Sequence, residues 1–122
     1  MAEPRVLVVD DESFIRDLVR DFLSLEGIAC DTAPDVPGAL SCLERGSYAL
    51  ILLDRHLEGR TSEDLIGTLI QSSGGAPLVV MTGDFYFDQE QALQAGARGV
   101  LHKPFQMDDL LRLVSETLSS TG

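Results

Sequence analysis

A chain of 122 residues, 44% of them hydrophobic, has the size of one compact domain and enough apolar mass for a core, which excludes a disordered polypeptide. A formal net charge of −11 argues against direct contact with nucleic-acid phosphates, and no apolar run reaches the ~18–20 residues of a membrane span. The first residues show no basic stretch followed by an apolar one, so no secretory signal is expected.

Cys30 and Cys42 lack metal or redox spacing. They are expected to be buried free thiols in the reducing cytoplasm, where the protein is expected to reside. Of the nine Lys and Arg residues, only Lys103 is a lysine. A chain that otherwise uses arginine, but places lysine in an apolar segment before Pro104, points to a need for a compact ammonium.

Short apolar runs alternate with stretches of helical period. Arg5, Val6, Leu7, Val8 and Val9 read as a strand buried on both faces. Residues 13–26 place Phe14, Ile15, Leu18, Val19, Phe22 and Leu25 on one stripe of a helix that Gly27 ends. Residues 28–33 form a weaker strand. Asp35 caps a helix over 37–45 with Pro37 in its first turn. Residues 48–53 make a third strand. Thr61 and Asp64 resemble a capping box opening a helix to about residue 72. Residues 78–81 form a fourth strand, 88–95 a short helix stopped by Gly96, and 99–102 a fifth strand. The last helix covers 106–119, with Met107, Leu110, Leu111, Val114 and Leu118 inward, and 119–122 is a flexible tail or the start of a linker. The result is an α/β domain of (βα)5 type, a parallel sheet with helices on both faces.

Ligands of such sheets bind beyond the carboxyl ends of the strands, near the point where strand order reverses. The first strand ends in Asp10, Asp11 and Glu12, the third in Asp54, the fourth in Thr82 and the fifth in His102 and Lys103. Acids, a hydroxyl and an ammonium, far apart in sequence, therefore converge on one edge. Asp10, Asp11 and Asp54 cannot all ionise at close range without counter-charge. Lys103 offsets one charge, and Mg²⁺, which prefers carboxylate, water and carbonyl oxygen, suits the remainder. Asp54 is then a nucleophile able to take a phosphoryl group, with Lys103 and Thr82 neutralising its oxygens.

These segments carry a resemblance. Val6-Leu7-Val8-Val9-Asp10-Asp11-Glu12, Leu52-Leu53-Asp54 followed by Leu57 and Gly59, Val80-Met81-Thr82-Gly83 and Lys103-Pro104-Phe105 stand in the order and near the spacing of response regulator receiver domains. The chain resembles that family along essentially its whole length. The resemblance implies a single receiver domain over 1–122 with a flavodoxin-like fold and strand order 2-1-3-4-5. Asp54 would accept a phosphoryl group from a sensor histidine kinase or a histidine phosphotransfer protein. Asp10, Asp11, Asp54 and the backbone carbonyl of His56 would hold Mg²⁺, Thr82 and Lys103 would contact phosphoryl oxygens, and the Lys103–Pro104 bond would be cis. The domain would be a regulatory phosphoacceptor without turnover of small substrates. It would act on a downstream protein effector or on a second copy of itself, with neither nucleic acid nor membrane as a direct partner.

Some positions depart from the family pattern. Val100 stands where an aromatic residue usually reports phosphorylation, and valine has no ring to swing. Glu58 replaces a common proline, and Thr61 and Ser62 replace a frequent Asp-Gly pair. His56 and Asp84 occupy positions that can tune the lifetime of the phosphoryl group. Phe85, Tyr86 and Phe87 are consecutive, and their alternation lets one ring pack inward while others stay exposed as anchors for partners or dimers.

Two other sheet-based readings fit less well. A haloacid-dehalogenase-like phosphatase needs Asp-x-Asp after the first strand, and Asp11-x-Ser13 does not supply it. A nucleotide-binding flavodoxin-like protein needs a Gly- or hydroxyl-rich loop there, whereas Asp10, Asp11 and Glu12 repel phosphate.

Overall fold

The computed structural model describes residues 5–57, 60–61 and 63–120. Five parallel strands form the sheet: β1 (Arg5–Val9), β2 (Ala29–Ala33), β3 (Leu50–Asp54), β4 (Leu78–Thr82) and β5 (Gly99–His102). Their spatial order is β2-β1-β3-β4-β5, as the resemblance implied. The helices are α1 (Ser13–Leu25), α2 (Val36–Arg45), α3 (Glu63–Ser72), α4 (Gln89–Ala95) and α5 (Met107–Ser120).

The strands are apolar throughout because helices cover both faces, and the period of two sorts their side chains. Leu7, Val9, Ile51, Leu53, Leu78 and Val80 join Ala39, Leu43, Ile66, Leu69 and Ala92 from α2, α3 and α4. Val6, Val8, Leu50, Leu52, Val79 and Met81 join Val19, Leu23, Leu110 and Val114 from α1 and α5. Each fully buried Leu, Val or Ile contributes about 1.5–3 kcal/mol. The order reverses at β1, which has β2 on one side and β3 on the other. The carboxyl ends of β1 and β3 therefore flank the crevice at the switch point.

Several local expectations change. Phe14 and Leu25 are both 71% exposed. The rest of the expected stripe holds, with Val19 buried beside Leu23 and Ile15 and Phe22 packed against the same core, while Phe14 and Leu25 sit at the helix ends. Thr61 does not open α3. It pairs with His56 in a two-residue antiparallel hairpin, His56–Leu57 with Arg60–Thr61. Glu58, Gly59 and Ser62 lie outside the described residues. Tyr48 precedes β3 and is held by its hydroxyl, which donates to Asp31 Oδ2 at 2.7 Å. Ser119 and Ser120, expected in a tail, continue α5, and 121–122 lie outside the described residues.

The Asp35 cap follows its sequence signal, whereas Asp88, expected inside its helix, stands just before it as the cap. Asp35 accepts from the Gly38 N–H at 2.8 Å. Asp88 and Gln91 form a reciprocal capping box that opens α4. Gly96 ends that helix at φ 105°, a left-handed conformation that glycine adopts readily. Among the described residues, no helix is long and apolar enough to cross a membrane.

Candidate functional site

Asp10 is the first residue beyond β1, and its N–H still pairs with the Ala33 carbonyl at 3.1 Å, so the sheet fixes its backbone. The side chain is fully buried. Oδ1 accepts the Glu12 N–H at 2.9 Å, and Oδ2 accepts from Lys103 Nζ at 2.8 Å. Asp54, at the end of β3, is also buried. Its Oδ1 accepts the His56 N–H at 3.1 Å, and its Oδ2 lies 3.5 Å from Lys103 Nζ. Glu12 is exposed and reaches Lys103 Nζ with Oε1 at 3.4 Å. Three carboxylates from two adjacent strand ends thus surround one ammonium brought from the far end of the sheet. The Lys103 N–H donates to the Thr82 carbonyl at 2.8 Å, and the Lys103–Pro104 peptide is cis.

The group of carboxylate oxygens lying within 4.8 Å of one another comprises Asp10, Glu12 and Asp54. Asp11 is exposed and not in that group. His56 is exposed and meets Asp54 through its backbone N–H. Thr82 is fully buried at the end of β4, where its Oγ1 accepts the Asp84 N–H at 2.9 Å. The structure therefore brings Asp10, Asp54 and Lys103 into direct contact. Thr82 stands on the neighbouring strand, and Asp11 stands at the rim.

The electrostatics follow from burial and charge count. Burial is the main force pushing the Asp54 carboxyl up to about 7. The Asp10 charge pushes it the same way, and the His56 N–H and Lys103 offset only part. Burial would lower the Lys103 ammonium, yet its hydrogen bond to Asp10 and the charges of Asp10, Asp54 and Glu12 leave it above the usual lysine value. Three acids against one ammonium leave a local excess of negative charge on hard oxygen donors. That donor set fits a divalent cation of the magnesium type.

The loop after β4 holds the aromatic trio. Phe87 is buried, whereas Phe85 and Tyr86 are 87% and 86% exposed, edge to face with ring centroids 6.2 Å apart. Asp84, in the same loop, is held below the usual carboxylate range by the Tyr86 N–H and then by Arg55. Val100 is half-buried against the core layer of α2, α3 and α4. Sequence reasoning misses two residues here. Glu12 reads in sequence as one of a triplet and not as a wall of the cluster. Arg55 carries no signal, because its partners Glu63 and Asp84 lie eight and twenty-nine residues away.

Comparison with known proteins agrees. A family model described as the response regulator receiver domain matches residues 6–115. An uncharacterized 14.6 kDa protein of Leptolyngbya boryana is 34% identical over 119 residues, 95% of this chain and 91% of that protein. The transcriptional regulatory protein DltR of Streptococcus agalactiae is 31% identical over 88% of this chain, which spans only 48% of that regulator. Among solved structures, the chemotaxis response regulator CheY4 of Vibrio cholerae is 25% identical with a TM-score of 0.84, covering 96% of this chain and all of that one. NtrX of Brucella abortus is 32% identical with a TM-score of 0.87 over 98% of this chain and 28% of its own. The matched span runs from the second residue of β1 into α5 and takes in all the converging acids, so this chain belongs to the response regulator receiver domain family of two-component signalling.

Proposed function

We propose that Asp54 is the phosphoacceptor of this domain, and that it takes a phosphoryl group from the phosphohistidine of a sensor kinase or of a histidine phosphotransfer protein. The observation that carries this reading is the state of Asp54. It is a buried carboxylate at the switch point of the sheet, pushed up to about 7, with an ammonium 3.5 Å away. An Asp54 oxygen attacks phosphorus, the P–N bond breaks, and the imidazole nitrogen leaves with the bonding pair. Lys103 stands beside both Asp10 and Asp54, poised to neutralise one phosphoryl oxygen. The Thr82 hydroxyl is the donor for another. The His56 N–H holds one Asp54 oxygen and so orients the other.

Mg²⁺ would be held by Asp10, Asp11 and Asp54 with the His56 carbonyl, Glu12 standing close enough to join them, and it would supply charge neutralisation of the attacking carboxylate and the phosphoryl oxygens. All 122 residues would act as one regulatory domain in the cytoplasm. The product would be a changed protein-interaction surface that meets a downstream effector or a second copy of the chain.

The test is labelling with acetyl phosphate, or with a phosphorylated kinase, in wild type and in Asp54→Asn. Label is expected on wild type, with Mg²⁺ and not with EDTA, and is expected to be absent from the variant. Equal labelling of both proteins refutes the assignment of Asp54. Continuous release of phosphate from small phosphomonoesters refutes the non-enzymatic reading.

A further inference from the structure

Arg55 follows the proposed acceptor directly and has no part in the chemistry above. Its N–H donates to the Met81 carbonyl at 2.8 Å, so its backbone is tied to β4 one residue before Thr82. Its side chain is 15% exposed and joins the start of a helix to a loop. Nε donates to Glu63 at the start of α3, and a terminal nitrogen donates to Asp84 Oδ2 at 2.7 Å. Cζ lies 4.3 Å from the centroid of the Phe87 ring. A sheltered guanidinium with two charged acceptors and an aromatic face is far more constrained than a surface ion pair.

Asp84 organises the turn beyond it. Oδ1 accepts the Tyr86 N–H at 2.9 Å, and its carbonyl accepts the Phe87 N–H at 3.2 Å. Its own N–H rests on Thr82 Oγ1 at 2.9 Å. One residue therefore shapes the turn that points Phe85 and Tyr86 outward, and also fastens that turn to the Thr82 hydroxyl. The contacts lead from Asp54 through one peptide bond to Arg55, then to Asp84, and then to Thr82.

We propose that Arg55 is a latch: its pairing with Asp84 locks the 84–87 turn in the unphosphorylated protein, and capture of the Thr82 hydroxyl by a phosphoryl group on Asp54 opens it. The inference rests on the acceptor role proposed for Asp54. Drawing the hydroxyl toward Asp54 removes the acceptor of the Asp84 N–H, and the Asp84 carboxylate moves with its own backbone. A new dianionic group one residue from Arg55 also competes for its guanidinium. Glu63 lies on α3, outside that shift, and anchors Arg55 in both states. The released turn frees Phe85 and Tyr86 to rearrange. This route needs no aromatic at position 100, where the chain has valine.

The test is amide exchange over residues 84–90, with and without a beryllofluoride mimic, in wild type, Arg55→Gln, Asp84→Asn and Glu63→Gln, with labelling of Asp54 read separately. In wild type and Glu63→Gln, the mimic is expected to speed exchange of the Tyr86 and Phe87 amides about tenfold. In Arg55→Gln and Asp84→Asn, exchange is expected to be fast already and to change less than about twofold. The side-chain carbonyl introduced by Asp84→Asn would still offer the Tyr86 N–H an acceptor, so loss of the response there identifies the ion pair and not the turn. Retention of the full response in Arg55→Gln, even with a lowered Tm, overturns the latch. So does labelled wild type whose 84–90 exchange ignores the mimic, and in both cases the acceptor role stands. Wild type that takes no label on Asp54 overturns the acceptor role and the latch with it.

Discussion

The charge imbalance at the acid cluster predicts that removing one carboxylate stabilises the metal-free fold. In Asp54→Asn the shape is kept and the charge is lost. A carboxyl raised from 3.8 to about 7 destabilises the folded state once it ionises, by at most ~4 kcal/mol at ~1.36 kcal/mol per pH unit. That rise is already net of the Lys103 contact at 3.5 Å, and solvent screening at a site open to water reduces it further, so about 1–3 kcal/mol is expected above pH 7. The sign follows from proton binding. Asp54 holds its proton more tightly folded than unfolded, so its contribution is fully present below pH 3.8 and is lost as pH rises toward about 7. Urea or thermal unfolding in EDTA at pH 5 and pH 8 measures the gap between variant and wild type. It should be larger at pH 8, by roughly 5–10 °C in Tm. A gap equal at the two pH values, or a variant less stable than wild type at pH 8, refutes the reasoning.

Lys103→Met should lose about 3–5 kcal/mol in urea unfolding, because it strips the ammonium from the fully buried Asp10; an unchanged midpoint would show that Asp10 has another counter-charge. Mg²⁺ at ten times its Kd should raise stability by ~1.4 kcal/mol. The same titration of Asp11→Ala decides whether this exposed acid contributes, since an equal rise there assigns binding to Asp10, Glu12 and Asp54 alone. Gly96→Ala should cost about 1 kcal/mol or more through its φ of 105°, and not through a clash, because the new methyl would meet Ile66 at an ordinary 3.6 Å. A neutral Tm for that variant would show that the α4 terminus relaxes freely.

Most of the fold was legible because β1, β3 and β4 are apolar on both faces, and a continuous apolar run bounded by acids has few other readings. Placement of Asp10, Asp54 and Lys103 followed from strand ends alone. What the sequence hid has physical causes. The period of a helix does not say where the sheet below it stops, so Phe14 and Leu25 share the apolar stripe of α1 and yet lie outside. Thr61 has the chemistry of a cap, but its pairing with His56 is a tertiary choice. Arg55 bridges the start of α3 and the loop after β4, whose approach only the folded sheet determines.

Lys103 is the only lysine in the chain, so its Nζ is the single side-chain primary amine. Acylating reagents attack the neutral amine, and the surrounding acids keep this one protonated and 14% exposed. Its rate of acylation therefore reports the electrostatic state of the whole acid pocket from one atom, without mutation or label elsewhere in the fold. An acetyl group at that atom would remove the positive charge that Asp10, Glu12 and Asp54 share. One covalent event at one nitrogen is thus enough to unbalance the site.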